Sequence, residues 1–273
     1  MPKFKDKVVI VTGASEGLGR SVCLRLAADG AKLSLAARNH DRLYQLKDQV
    51  KEMGTEALVV PTDVSDPQQC KNLVDKTVKK WGGLDVLLNN AGITLWTLVE
   101  YIEDLSIFDR IMKTNYLGSV YCTYYALSGL KKAKGIIAAT SSSIGLMPVT
   151  TRTAYCASKY AMFGFFDSLR LELRGTGVCV TVIAPGFVET EFQKRALDHT
   201  GKSLGESPVV DRSKFLSAEK AADIIVSGME KRKRLVVTDR KIHFARWIYP
   251  LFPNVIEFFL QKAFHNACGK KTY

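Results

Sequence analysis

The sequence predicts one α/β domain, a doubly wound sheet of seven parallel strands with helices on both faces. Three observations carry this. Short apolar runs alternate along the 273 residues with longer stretches of helical period. The first run, Val8-Val9-Ile10-Val11, is β-branched throughout, as suits a strand buried on both faces. The residues with chemical character fall at the carboxyl ends of these runs, where open parallel sheets bind ligands.

The elements follow in order. Strand Val8–Val11 breaks into the glycine-rich turn Thr12-Gly13-Ala14-Ser15-Glu16-Gly17-Leu18-Gly19, and a helical pattern covers Arg20–Ala28. Glycines in such a turn permit a tight bend, close approach of a phosphate, and a helix N-terminus aimed at the anion. Lys32–Ala37 is the second strand and Asp41–Met53 the second helix. Ala57–Pro61 is the third strand; the helix Pro67–Trp81 follows, with Asp66 placed to cap it and proline at its first position. Strands Val86–Leu88, Gly135–Ala139, Val178–Ile183 and Leu235–Val237 then alternate with helices Phe108–Leu127, Ala154–Arg174 and Ala218–Glu230. Crossovers between parallel strands are expected to be right-handed. The polar stretch Thr200–Ser213, with Gly201, Gly205 and Pro208, lacks periodicity and reads as a mobile loop over the site.

A second feature lies in Tyr155-Cys156-Ala157-Ser158-Lys159, where a phenol and an ammonium stand one helical turn apart on the same face. A phenol with a pKa of about 10 is a poor acid or base at neutral pH. A fixed cation nearby lowers it by roughly 1–3 units and makes it usable. Such pairs also arise on ordinary amphipathic helices, so the glycine-rich turn at the other end of the chain is what gives this one weight.

Together with Asp63-Val64, Asn89-Asn90-Ala91-Gly92, Asn115, the serines 141–143 and Pro185-Gly186, these pieces resemble the classical short-chain dehydrogenase/reductase family. Order and spacing match from residue 7 to about residue 240. The resemblance implies a Rossmann-type domain over 1–240, followed by a hydrophobic C-terminal extension over 241–273. It also implies hydride transfer between a nicotinamide and a carbonyl or alcohol carbon. By resemblance Tyr155 is the general acid/base, Lys159 lowers its pKa and holds the nicotinamide ribose, and Ser142 bonds the substrate oxygen. Ser142 is chosen by register, thirteen residues before Tyr155 and three before Gly145; Ser141 and Ser143 have the same chemistry. Asn115 would support a water relay to Lys159, or break its helix for structural reasons, or both. The cofactor set implied is Gly13, Ser15, Gly17, Leu18, Gly19, Asp63, Val64, Asn90, Ala91, Gly92, Pro185, Gly186, Val188 and Thr190, with Tyr155 and Lys159. Capping is the alternative for Asp63 and Thr190. The family's assembly through two long central helices implies a homodimer or homotetramer.

The choice of cofactor rests on the end of the second strand. Where NAD enzymes carry a carboxylate for the ribose 2′-hydroxyl, this chain has Ala36-Ala37 and then Arg38. A missing acid beside a guanidinium suits a 2′-phosphate, with Asn39 as a neutral donor, so NADP is expected over NAD. Glu16 runs against that, unless its carboxylate turns to solvent or pairs with Arg38.

Bulk properties exclude several classes. Residues 1–6 are polar ahead of the first strand, so no signal peptide is expected, and no uncharged apolar run reaches the ~20 residues of a membrane span. The six cysteines form no CxxC pair and read as reduced residues of a cytoplasmic protein. His40, His199, His243 and His265 match no metal or triad spacing, so no metal is expected. The net charge is +12, and from Lys231 onward ten Lys/Arg face only two acids. No nucleic-acid motif accompanies them. Instead they flank the aromatic segment Arg246–Leu260, a combination typical of peripheral membrane contact. The other reading is that this tail packs on the body or covers the substrate mouth. A small hydrophobic carbonyl or alcohol (steroid, retinoid or long-chain keto lipid) is the substrate expected. A 3-oxoacyl carrier-protein reductase and a non-catalytic nucleotide-binding scaffold are the alternatives, the second opposed by the intact Asn115, Ser142, Tyr155 and Lys159.

Overall fold

The structure, a computed structural model, describes residues 3–209 and 215–268. Its strands in chain order are β1 (Val8–Thr12), β2 (Lys32–Ala37), β3 (Ala57–Pro61), β4 (Val86–Asn89), β5 (Ile136–Thr140), β6 (Cys179–Ala184), β7 (Val188–Glu189), β8 (Leu216–Ser217) and β9 (Leu235–Val237). Seven of them form one sheet in the order β3-β2-β1-β4-β5-β6-β9, every neighbouring pair parallel. Strands β7 and β8 pair only with each other. The chain winds outward from β1 to β3 and then returns to lay β4 beside β1. That reversal opens a crevice at the strands' carboxyl ends.

The helices are α1 (Gly17–Ala28), α2 (His40–Glu52), α3 (Pro67–Trp81), α4 (Ser106–Met112), α5 (Gly118–Ala133), α6 (Thr153–Glu172), α7 (Ala218–Glu230), α8 (Arg240–Ile248) and α9 (Pro253–Cys268). All five residues of β1 are buried. Val9 and Val11 join the core under α1, α2 and α7, while Val8 and Ile10 join the core under α3, α5 and α6. Alternation along a strand thus feeds both layers, and each such side chain contributes roughly 1.5–3 kcal/mol on full burial. Asp66 caps α3, its Oδ1 accepting from the Gln68 and Gln69 amides at 2.8 and 3.3 Å.

The stretch Phe108–Leu127, expected as one helix, is interrupted. Between α4 and α5 the residues Lys113–Leu117 form a single π-helical turn centred on Asn115. The Asn115 side chain is held from outside the helix: Oδ1 accepts from the Ile93 amide at 2.8 Å, and Nδ2 donates to the Ile93 carbonyl and to Ser158 Oγ, both at 2.9 Å. Satisfying those bonds widens one turn, a distortion that recurs at functional sites.

The expected loop Thr200–Ser213 is described as far as residue 209; its remainder, and Lys270 and Lys271 of the tail, lie outside the described residues. Its first part is pinned. Asp198 Oδ1 accepts from Thr200 N, Thr200 Oγ1 and Lys202 N at 2.8, 2.8 and 3.1 Å. The tail forms α8 and α9. No residue of α8 is buried, and Phe244, Trp247, Leu251, Phe252, Phe258 and Phe259 are exposed. Among the described residues no helix is long and apolar enough to cross a membrane.

Candidate active site

The crevice contains a cavity of about 980 Å³ running from the glycine-rich turn to the tail. Its floor is backbone. Thr12 Oγ1 accepts from the Asn90 and Ala91 amides at 2.9 and 3.1 Å, and Asn90 Nδ2 donates to the Thr12 carbonyl at 3.1 Å, tying the end of β1 to the end of β4. The contact is too close for side chains. A Cβ on Gly13, whose φ is +64°, would lie 2.9 Å from Ala91 Cα, and one on Gly19 would lie 2.2 Å from the Gly13 carbonyl oxygen. Only glycine lets the turn press this closely onto β4.

Gly13, Ser15, Gly17, Leu18, Gly19, Arg38, Asn39, Asp63, Val64, Asn90, Ala91, Gly92, Ser142, Tyr155, Lys159, Pro185, Gly186, Val188 and Thr190 all line this cavity. Asn115 is the exception among the residues picked from sequence. It is fully buried one layer behind, between Ile93 and Ser158. Asp63 closes a turn, with Oδ1 accepting from Ser65 N and Oγ at 2.9 and 2.7 Å. Thr190 Oγ1 likewise accepts from the Phe192 amide at 3.3 Å.

At the middle of the cavity, α6 presents Tyr155 (6 % exposed) and Lys159 (3 % exposed). Lys159 Nζ lies 5.4 Å from the Tyr155 ring centre and donates to the Thr140 carbonyl at 2.8 Å. Burial lowers the Lys159 pKa to about 7. Burial also raises the Tyr155 phenol above its ordinary value, opposed by the Ser142 hydroxyl and the Arg152 charge, with Cys156 adding to the rise. The serines divide by geometry. Ser141 Oγ donates to the Lys159 carbonyl at 3.1 Å, and the Ser142 hydroxyl is the one that acts on the phenol.

At the far end Glu16 does not pair with Arg38. Its carboxylate is gripped by Arg42 of α2 and by Arg195, which follows β7. Asn39 Oδ1 accepts from the Arg42 amide at 3.0 Å and so caps α2. Sequence reading missed Arg42, Arg195, Trp96, Arg152 and Gln193 as cavity residues. Only their distance from apolar periodicity set them apart, since none sits in a recurring motif.

The family profile described as short chain dehydrogenase matches residues 7–201. The chain belongs to the short-chain dehydrogenase/reductase family. It is 34% identical over 278 residues to the 11-beta-hydroxysteroid dehydrogenase A of Arachis hypogaea, covering 97% of this chain and 78% of that one. It is 33% identical to the Dehydrogenase/reductase SDR family protein 7-like of Dictyostelium discoideum, covering 98% and 84%. Among solved structures, an alcohol dehydrogenase from the archaeon Thermococcus sibiricus, complexed with 5-hydroxy-NADP, superposes with a TM-score of 0.76 at 25% identity, covering 85% and 96%. A short chain dehydrogenase/reductase from Burkholderia phymatum in complex with NAD shares the fold at a TM-score of 0.82 and 22% identity, covering 94% and 97%. As a short-chain dehydrogenase/reductase the protein is an oxidoreductase of alcohol and ketone groups that uses a nicotinamide nucleotide.

Proposed function

We propose that this short-chain dehydrogenase/reductase is NADP-dependent and acts on a hydrophobic ketone or alcohol of steroid type. The observation that carries the chemistry is the convergence of Ser142, Tyr155 and Lys159 on one cavity whose floor is the glycine cradle at β1 and β4. A nicotinamide nucleotide, when bound, supplies or takes the hydride. Gly13, Ser15, Gly17, Leu18 and Gly19 hold its phosphates, Asp63 and Val64 the adenine, and Pro185, Gly186, Val188 and Thr190 the nicotinamide end. Tyr155 gives its proton to the oxygen of the forming alcohol, or takes it in oxidation. Ser142 donates a hydrogen bond to that oxygen, Lys159 lowers the phenol's pKa and holds the nicotinamide ribose, and Asn115 supports a water relay to Lys159.

Arg38 at the end of β2, with no carboxylate beside it, supports NADP. The relatives named as 11-beta-hydroxysteroid dehydrogenases, together with the lining residues Trp96, Phe187, Phe192 and Leu197, support a hydrophobic substrate. The exposed aromatic face of α8 and α9, with Arg240, Lys241, Arg246 and Lys262 alongside, supports contact with an anionic lipid surface. Tyr155→Phe tests the mechanism. Turnover should fall by about 10²–10⁴-fold, with melting temperature and NADP affinity unchanged. Near wild-type turnover in that variant removes the proposal.

A further inference from the structure

The cofactor end of the cavity is lined by three arginines from three parts of the chain: Arg38 after β2, Arg42 on α2, and Arg195 after β7. Asn39 Oδ1, accepting from the Arg42 amide at 3.0 Å, fixes the start of α2 directly beyond Arg38. Glu16 then gathers the other two. Its Oε2 accepts from Arg42 and its Oε1 from Arg195, so one carboxylate sets two guanidiniums side by side. Among the described residues neither guanidinium meets another acid, and Arg38 has no ion pair. Three cations thus share one anion, and two positive charges stay unmatched. Each guanidinium carries five N–H donors, of which one carboxylate oxygen engages few. The site is therefore not balanced by Glu16 alone. A phosphate monoester, with about two negative charges and three acceptor oxygens, is the group that balances it.

Arg195 differs from the other two in what it is attached to. Its segment makes a second contact with the glycine-rich turn, where a Cβ on Gly17 would lie 3.2 Å from Thr190 Cγ2. Two residues after Thr190, the Phe192 ring stands 6.1 Å from the Tyr155 ring, centre to centre. Two residues after Arg195, Leu197 is tied to the wall beyond β4: its amide donates to the Thr94 carbonyl and its carbonyl accepts from the Trp96 amide, both at 2.8 Å. Phe192 and Leu197 line the cavity. Whatever holds Arg195 therefore also holds the apolar wall beside the catalytic tyrosine.

Resting on the NADP reading above, we propose that Arg195 joins Arg42 on the 2′-phosphate of NADP and so couples recognition of the cofactor to closure of the substrate wall. The phosphate takes the donors that Glu16 leaves idle and draws in the segment from Thr190 to Leu197. NAD, which lacks that phosphate, binds without holding the segment. By linkage, a substrate that needs the closed wall favours NADP over NAD by the same factor.

The test needs no turnover. Calorimetry measures NADP and NAD binding to the wild type, Arg195→Met, Glu16→Gln and the double variant. Arg195→Met should weaken NADP about tenfold and NAD by roughly twofold at most, as for the loss of one hydrogen bond to a charged group. The same loss should remain on the Glu16→Gln background, because Arg195 acts on the phosphate and not by neutralising Glu16. Arg195→Lys, which keeps the charge without the planar fork, should lose less. Hydrogen exchange across residues 190–197 should be about fivefold slower with saturating NADP than with saturating NAD in the wild type. In Arg195→Met the two cofactors should protect that segment equally. Three results overturn the inference: NADP affinity unchanged in Arg195→Met, a loss that disappears on the Glu16→Gln background, or equal protection by both cofactors in the wild type. NADP preference that falls with Arg38→Ala but persists in Arg195→Met sinks this inference and leaves the NADP reading standing. Equal wild-type affinities for the two cofactors sink both.

Discussion

Along β1 and β4 the cavity wall is mostly main chain, with Gly13, Gly19, Ala91 and Gly92 setting its shape. Beyond Tyr155 the wall changes to side chains from segments outside the sheet: Trp96, Arg152, Phe192, Gln193, and Ile242 and Leu260 from the tail. In the first half, any side chain added at Gly13 or Gly19 would collide with main chain. The second half can change residue by residue without disturbing the strands. A family can therefore keep its cofactor chemistry while its substrates vary, because the two halves rest on different parts of the fold.

This contrast can be broken at several points. The largest effect is expected at the tail, whose Ile242 and Leu260 line the cavity. Full-length protein should co-sediment with anionic vesicles at low salt, and truncation after Arg240 should abolish that while NADP binding persists. Full-length protein that ignores such vesicles would leave α8 and α9 as a cover for the cavity only. A smaller effect is expected at Glu16, which holds Arg42 and Arg195 at the cofactor end. Glu16→Gln should tighten NADP several-fold, roughly 1 kcal/mol, by removing a like charge and loosening two guanidiniums for the phosphate. NADP binding that weakens in calorimetry would contradict this.

The smallest effect concerns Lys159. Its folded pKa of about 7 lies below the roughly 10.4 of an exposed lysine. Between those values the unfolded chain binds more protons, so stability rises with pH there, and below pH 7 the buried cation costs in full. Without added cofactor, Lys159→Met should raise the melting temperature by a few degrees at pH 6, about 1 kcal/mol, and by less at pH 9. A gain that grows with pH would reverse the assignment.

The sheet was legible because every strand from β1 to β9 in it is a short apolar run, and parallel strands buried on both faces leave no other pattern. The π turn at Asn115 was not, since the apolar spacing of Phe108–Leu127 continues across one extra residue and the cause lies in Ile93 and Ser158, far along the chain. Ser15, Asp63 and Asn90 stood out by their positions at strand ends. The pairing of Glu16 with Arg42 and Arg195 did not, because charged residues on helix starts and loops carry no period that says which partner they meet. Arg152 was not singled out for a related reason: its partners Thr94, Leu95 and Trp96 lie far back along the chain, and only they show that it points inward.

On the proposed function, the end of β2 selects the cofactor. The most direct measurement is calorimetric binding of NADP and NAD to the wild type and to Arg38→Ala. The account predicts tighter NADP in the wild type, and a loss in the variant of roughly 1.5–3 kcal/mol for NADP with NAD nearly unaffected. Equal affinities in the wild type, or an NADP affinity that Arg38→Ala leaves in place, would contradict it.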